Sequence, residues 1–195
     1  MLAPETITER RQAFEREALP HLRRVYAMAR RLDRDPMAVE DLVQETYLRA
    51  YRTFDNYQRG TNPMAWLLTI LHSIHVNRRR RRGREPEAKD DKQLETIADR
   101  AARDVDWEHK FVESAGAGRW GAGEAVDPAL DRLPEAFREA VLLVDLGELT
   151  YEEAAGVLGC PVGTVRSRLA RARRRLAAEL ADYAEKSGLF ARSTT

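Results

Sequence analysis

The segment TYEEAAGVLGCPVGTVRSRLARARRRL, residues 150–176, carries the clearest structural pattern in this chain. Thr150 and Glu153 have the spacing of a capping box, in which a hydroxyl and a carboxylate satisfy backbone amides at the start of a helix. Gly159 suits the end of that short helix, and Pro161 suits the first turn of another. Two helices joined by a tight glycine turn, the second one basic, are typical of a helix-turn-helix.

The second helix of this segment separates into an apolar and a polar face when successive residues are placed about 100° apart. The apolar face, which we expect to pack on the preceding helices, comprises Val165, Leu169, Ala172, Leu176 and Leu180. The polar face, which we expect to contact bases and phosphates, comprises Thr164, Ser167, Arg168, Arg171 and Arg175, with Arg166 at its flank. An arginine-rich face can also be an ordinary solvated surface, but the capping box, the turn and the divided faces together favour DNA binding.

The rest of the chain has helical periodicity on either side of a segment that lacks it, and no part alternates as a strand does. Apolar residues at three- and four-residue steps predict helices over 11–33, 36–54, 63–82, 128–146 (interrupted at Leu133-Pro134) and 161–184. Gly147 is a candidate C-cap for the fourth of these helices.

Residues 83–126 are acidic and partly glycine-rich, which predicts a flexible linker. Trp107 and Trp120 are unusual in such a segment and suit either docking on a folded domain or contact with a partner. We therefore expect an all-α protein of two small helical domains, 1–82 and 127–184, joined by this flexible acidic linker and followed by a polar tail, 185–195.

Composition and charge exclude several classes of protein. The 195 residues include 33 Lys and Arg, 32 Asp and Glu, and one Cys, which excludes a disulfide framework and a Cys-rich zinc site. No apolar run is long enough for a membrane span, and the polar N-terminus lacks the apolar core of a signal peptide. We expect a cytoplasmic protein without membrane contact of its own.

Positive charge is concentrated in two clusters. Residues 78–84 contain six arginines in seven positions, and residues 163–176 contain six arginines and no acid. Clusters this segregated usually face a partner or solvent, and arginine suits bidentate contacts with phosphates and base edges.

The chain lacks the motifs of common catalytic and cofactor sites, such as a Walker loop, HExxH or GxSxG. His72 and His75 are three residues apart on a predicted helix, but no third metal ligand accompanies them. Cys160 is either a redox-sensitive thiol or a small residue that packs at a helix start. We expect no catalytic residues, no metal and no cofactor.

Two long stretches resemble the bacterial RNA polymerase sigma factors of the extracytoplasmic-function (ECF) group, within the sigma-70 family. DLVQETYLRAYRTFDNYQRGTNPMAWLLTILHSIHVNRRRRR, residues 41–82, is similar to region 2 of that group. LPEAFREAVLLVDLGELTYEEAAGVLGCPVGTVRSRLARARRRL, residues 133–176, is similar to region 4. The resemblance implies a protein that binds core RNA polymerase and directs it to promoter DNA, with the N-terminal domain melting the −10 element and the C-terminal domain reading the −35 element.

The resemblance also implies roles for particular residues. In the family, the second helix of region 2 docks its polar face on the clamp helices of the largest polymerase subunit, and here that face comprises Asp41, Gln44, Glu45 and Arg49. The loop and helix that follow capture a flipped base and the single strand of the −10 element, and the matching residues are Asn56, Tyr57, Gly60, Thr61, Asn62, Ser73, Asn77, Arg78 and Arg80. Tyr57 could stack on a base. The polar face of the last helix, Thr164 to Arg175, would read the −35 duplex.

One position departs from the family pattern, because Ser73 stands where many members have Asn. Ser has a shorter reach and a different donor set, so the preferred −10 base stays open. Trp66 lies on the apolar stripe of its helix and is expected in the core rather than on DNA. An anti-sigma factor is a further expected partner, since many family members are held by one.

Two other functions fit parts of this sequence. A stand-alone helix-turn-helix regulator would bind duplex DNA without polymerase, and the region 2 resemblance argues against it. A nucleic-acid-processing enzyme would need a catalytic set, which this sequence does not offer.

Overall fold

The computed structural model describes residues 7–83 and 126–186, with side chains up to residue 180, and all regular structure in them is helical, as predicted. The N-terminal helices are α1 (Ile7–Ala18), α2 (Leu22–Leu32), α3 (Pro36–Arg52) and α4 (Pro63–Arg81). The C-terminal helices are α5 (Val126–Arg132), α6 (Glu135–Val141), α7 (Tyr151–Leu158) and α8 (Val162–Lys186). Two 3-10 turns, Leu19–His21 and Phe54–Asn56, and a π-helical turn, Leu142–Leu146, lie between them. Trp107, Trp120, most of the predicted linker and the end of the tail lie outside the described residues.

The prediction of one helix over residues 11–33 is wrong. The chain instead forms α1, which ends at Ala18, and α2, which begins at Leu22. Pro20 explains the interruption, because proline has no amide hydrogen to donate and its ring clashes with the preceding helical turn. Ala18 and Val25 are both fully buried, so the apolar stripe continues across the break and conceals it in the sequence.

The described residues form two compact units. One contains residues 7–83 and 143–160, and the other contains residues 126–142 and 161–186. This grouping differs from the predicted domains, because the segment before and through α7 belongs with the N-terminal helices. Arg24 on α2 contributes to it by donating to the Gly147 carbonyl at 3.1 Å and pairing with Glu148 at 3.0 Å. The domain boundaries derived from the sequence stay a prediction.

Helices α3 and α4 begin with the same local device, a short polar side chain followed by proline. Asp35 accepts a hydrogen bond from the Met37 amide at 3.0 Å, and Asn62 accepts one from the Met64 amide at 3.0 Å. Proline occupies the next position in each case, where its missing amide hydrogen costs nothing. The two helices therefore start at defined points, which sets the register of the exposed side chains along them.

The first unit is held together by apolar packing among α2, α3 and α4. Met28, Leu42, Leu67 and Leu71 are at most 1% exposed. Burying one such side chain stabilises a fold by about 1.5–3 kcal/mol. The packing leaves one side of α3 and one side of α4 at the surface.

In the second unit, α8 packs on α5 and α6 through its predicted apolar face. Val165, Leu169, Ala172 and Leu176 are at most 2% exposed, while Leu180 is half-buried. The residues of the polar face of α8 are less buried than those of its apolar face.

The turn chemistry predicted around α7 is confirmed in two places and wrong in one. The Thr150 hydroxyl accepts from the Glu153 amide at 3.2 Å, the Glu153 carboxylate accepts from the Thr150 amide at 2.8 Å, and Gly159 is left-handed with φ +62°. Gly147 is not the left-handed residue of its turn, because Glu148 holds that conformation with φ +54°. Gly147 is needed for space instead, since a Cβ there would meet the Leu143 carbonyl and lie 2.9 Å from the Leu68 side chain.

Candidate protein and nucleic-acid interfaces

One side of α3 is exposed along its length and carries the residues predicted to bind core polymerase. These residues recur at three- and four-residue steps, which places them on one helix face. We call this face the α3 surface, and it comprises Met37, Asp41, Gln44, Glu45 and Leu48, with the exposed Arg49 at its edge.

Met37 and Leu48 are members of this surface that the sequence reasoning missed. Met37 is 71% exposed and Leu48 is 51% exposed, although both are large and apolar. Their spacing was the available signal, since Met37 lies four residues before Asp41 and Leu48 three residues after Glu45. Apolar side chains among polar ones offer a protein partner apolar area to bury.

Arg78 binds α3 rather than pointing into solvent. Its Nε and Nη2 donate to Glu45 Oε2 at 3.1 and 2.5 Å, and its Nη2 also donates to the Asp41 carbonyl at 3.2 Å. Its Nη1 donates to the Ala38 carbonyl at 3.4 Å. The resemblance places Arg78 on −10 DNA and Glu45 on polymerase, whereas here the two side chains bind each other.

The exposed side of α4 is a stripe of small polar residues that ends in arginine. Ser73, Asn77 and Arg80 follow one another at steps of four and three residues, so they share a face. Asn77 and Arg80 are exposed and Ser73 is half-buried. Thr69, one turn before Ser73, is exposed on the same face and was missed. We call Thr69, Ser73, Asn77 and Arg80 the α4 stripe.

The role suggested for Tyr57 disagrees with its position. Tyr57 is only 5% exposed, and its ring is stacked 5.9 Å from Phe54 and lies 4.7 Å from Trp66, between ring centroids. Burial raises the pKa of its hydroxyl, which donates to the Thr61 carbonyl at 2.8 Å. A ring enclosed in this way supports the loop from below and is not available to stack on a base. Trp66, expected in the core, is half-buried in this cluster.

The loop between α3 and α4 is closed by its own hydrogen bonds. The Thr61 amide donates to the Gln58 carbonyl at 3.2 Å, and Asn62 is committed to capping α4. Gly60 has φ +88°, and a Cβ built on it would meet nothing within 4 Å. Its conformation, rather than a close approach inside the protein, therefore requires glycine there. Asn56, Gly60 and Thr61 are exposed.

Helix α1 supports this loop from the other side. Arg10 Nε donates to Asp55 Oδ1 at 2.7 Å, and its Nη2 donates to the Tyr51 carbonyl at 2.6 Å. The Phe14 ring packs edge-on against Phe54, with centroids 5.4 Å apart. Aromatic pairs in this geometry contribute about 0.5–1.5 kcal/mol beyond their buried area. The loop is thus supported by an aromatic cluster of Phe14 from α1, Trp66 from α4, and Phe54 and Tyr57 at its own start.

On α8, the residues predicted to read the −35 element lie on one side of the helix. Thr164, Ser167, Arg168 and Arg171 are half-buried, and the flanking Arg166 is exposed. The Ser167 hydroxyl donates to the Thr164 carbonyl at 3.0 Å. Arg175 is half-buried as well, and its guanidinium lies 5.7 Å from the centre of the buried Phe137 ring. Arg175 therefore packs in its own unit as a cation–π pair, with less freedom to reach DNA.

Other candidate groups stay apart. His75 is buried and His72 half-buried, and within the described residues no three His, Cys, Asp or Glu side chains are grouped so that they could hold a metal. Cys160 is a half-buried free thiol. Within the same part of the chain, each helix is too short or too polar to cross a membrane.

Comparison with known proteins identifies matching family models and related proteins. A family model for sigma-70 region 2 matches residues 19–85, and one for sigma-70 region 4 matches residues 123–176. The chain is 38% identical to the ECF RNA polymerase sigma factor EcfG of Rhodopseudomonas palustris, over 88% of this chain and 86% of that protein. It is 40% identical to the ECF RNA polymerase sigma factor SigE of Mycolicibacterium smegmatis, over 86% of this chain and 61% of that protein.

Two solved structures are similar as well. The sigma factor RpoE of Bartonella quintana, crystallised with the anti-sigma factor NepR, has a TM-score of 0.65 and 30% identity, covering 87% of this chain and 98% of that one. CnrH, in complex with the cytosolic domain of CnrY, has a TM-score of 0.56 over 88% of this chain and 90% of that one. At 23% identity, CnrH is evidence for the fold alone.

Alanine substitutions at Gly60 and Gly156 should change the free energy of unfolding in opposite directions, because Gly60 is left-handed and Gly156 is helical. Because Gly60 is left-handed, we expect Gly60→Ala to lower the free energy of unfolding by about 1–2 kcal/mol through backbone strain. Gly156 lies inside α7 with equally open surroundings, so Gly156→Ala should raise that free energy by about 0.5–1 kcal/mol. Urea unfolding followed by circular dichroism measures both, and changes of the same sign would contradict the assignment.

Proposed function

Because this chain belongs to the extracytoplasmic-function group of the sigma-70 family and directs promoter-specific initiation by RNA polymerase, we propose how its surfaces divide that work. The α3 surface binds core polymerase. The α4 stripe and the loop before it hold the melted −10 element, and the polar side of α8 reads the −35 duplex. The chain supplies recognition in the cytoplasm, and polymerase supplies the chemistry.

The observation that carries the proposal is that α3 and α4 pack against each other and still expose one side each. A protein partner on the α3 surface and a DNA strand on the α4 stripe can therefore be bound at the same time. Asp41 and Gln44 provide polar contacts for polymerase, and Met37 and Leu48 provide area that becomes buried. A surface that mixes polar side chains with exposed large apolar ones is typical of protein interfaces.

The loop and stripe suit a single strand of DNA. Flipping a base costs a few kcal/mol in lost stacking and pairing, which a pocket has to offset. Asn56, Gly60 and Thr61 are exposed for that contact, while the rings beneath keep the loop in place. Arg80 at the end of the stripe follows the phosphate backbone, and Asn77 offers donors and acceptors to bases.

A further partner is proposed from the relatives. The RpoE structure contains the anti-sigma factor NepR, and RpoE is similar to 87% of this chain. We infer that an anti-sigma factor also holds this chain and so controls its access to polymerase. A stand-alone regulator is not favoured, because the α3 surface would then have no partner to bury Met37 and Leu48.

Docking is tested best at Gln44, since Glu45 is already bound to Arg78. We expect Gln44→Arg to weaken core polymerase binding roughly tenfold, which corresponds to about 1.4 kcal/mol. The fold should persist, because Gln44 is exposed and both residues favour helix. Gln12→Arg, the same change at an exposed position of α1, is the control. Equal affinities of both variants in a fluorescence titration with core polymerase would contradict the docking assignment.

For α8, we expect Arg168→Ala and Arg171→Ala to separate base contacts from phosphate contacts in holoenzyme bound to a promoter. Losing a base contact should cost about 1–3 kcal/mol and relax the preference at one −35 position. Losing a phosphate contact should lower the slope of log affinity against log salt by about 0.9. Arg132→Ala on α5 is the control and should change neither quantity. Wild-type behaviour of both α8 variants would remove this face from the DNA interface.

Ser73→Asn should change which −10 base is preferred while leaving melting intact, because it alters the donors and acceptors on the α4 stripe. Ser73→Ala, which only removes the hydroxyl, should weaken the preference without creating a new one. Permanganate footprinting of promoter thymines on a set of −10 variants reads out both. An identical ranking of promoters by wild type and Ser73→Asn would show that base selection lies elsewhere.

A further inference from the structure

The arginine run at the end of α4 contains side chains that point in opposite directions. Arg78 binds α3, and four residues later Arg82 Nη1 lies 3.5 Å from Asp33 Oδ2. Arg78 is half-buried, whereas Arg80, Arg81 and Arg82 are exposed. Arg78 lies in the last turn of α4, and its contacts with α3 define the inward side of that turn.

The guanidinium of Arg78 is engaged by α3 at all three nitrogens. Nε and Nη2 bind the Glu45 carboxylate, while Nη2 and Nη1 bind the carbonyls of Asp41 and Ala38. Two of these acceptors are backbone atoms, so Arg78 binds the helix itself and not only one charged partner. Its side chain is 27% exposed. A rigid fork that satisfies several acceptors at once fixes geometry in a way that a lysine ammonium cannot.

We propose that Arg78 is a positioning residue and not a DNA contact. By fastening the last turns of α4 to α3, it orients Asn77 and Arg80, which lie about 100° and 200° around the helix from it, towards the promoter strand. This inference rests on the proposed role of the α4 stripe. It divides the arginine run into an anchoring side and a DNA-binding side.

Charge-preserving substitutions test the division, with Arg80 as the matched control. Full-length Arg78→Lys, Arg78→Ala, Arg80→Lys and Arg80→Ala are each combined with saturating core polymerase on one promoter. We expect both Arg78 variants to reduce promoter melting roughly tenfold, with an unchanged salt slope for binding of single-stranded −10 DNA. Arg80→Ala should lower that slope by about 0.7, whereas Arg80→Lys, which keeps the charge, should have a slope close to that of wild type.

A second measurement needs neither polymerase nor DNA. In the free chain, we expect Arg78→Lys to speed hydrogen exchange of the backbone amides of residues 76–81, and Arg80→Lys to leave it unchanged. Glu45→Gln, which keeps the shape of the partner and removes its charge, should have a similar effect. In the double variant with Arg78→Lys it should add little, because the two changes remove the same interaction.

The outcomes are distinct. The proposal is overturned if Arg78→Ala lowers the salt slope and Arg78→Lys restores it, since Arg78 would then contact phosphate. It is equally overturned if Arg78→Lys melts promoters as wild type does, or if exchange in α4 is unaffected. If Arg80→Ala leaves the salt slope unchanged while exchange responds to Arg78→Lys, the proposed function of the stripe fails and the anchoring of α4 stands.

Discussion

The burial of one side of α4 against α2 and α3 is the constraint on which both proposed interfaces of the first unit depend. Leu67, Leu71 and Ile74 are at most 2% exposed, and their spacing of three and four residues defines the inward side of the helix. The polar side chains of Thr69, His72 and Ser73 lie on other sides of the helix and are exposed or half-buried. The same packing holds α3 by its apolar side, so its polar side is free to meet a protein. The packing that forms the core of this unit therefore also exposes the two surfaces proposed as interfaces.

The sequence predicted those structural features that depend on residues close together in the chain. Helical periodicity, the capping box at Thr150 and the left-handed Gly159 depend on residues within a few positions of one another, and all three are present. Pro20 was also visible, but the apolar stripe running across it concealed its effect. The buried apolar stripe is continuous from α1 to α2, although the helix itself is interrupted between them.

Side-chain contacts could not be predicted in this way, whether the two residues are near or far apart in the chain. Arg78 looked like one more cation in a basic run, and its partners on α3 lie 33 to 40 residues away. The sequence suggested that the Tyr57 ring is available to DNA, but in the structure Phe54 and Trp66 enclose it. The sequence therefore predicted the helices and faces that carry the candidate sites, while the division of work among their side chains required the tertiary structure.

The contacts of α1 affect where this protein can be truncated or joined to another in a chimaera. The region 2 match begins at residue 19, after α1 has ended. Yet Arg10 and Phe14 on α1 contact Tyr51, Phe54 and Asp55, which precede or begin the loop proposed to capture a flipped base. A chimaera joined at the edge of the family match would keep every residue of the loop and lose the support beneath it. Under the proposed role of this loop, the smallest transferable −10 module accordingly begins at α1.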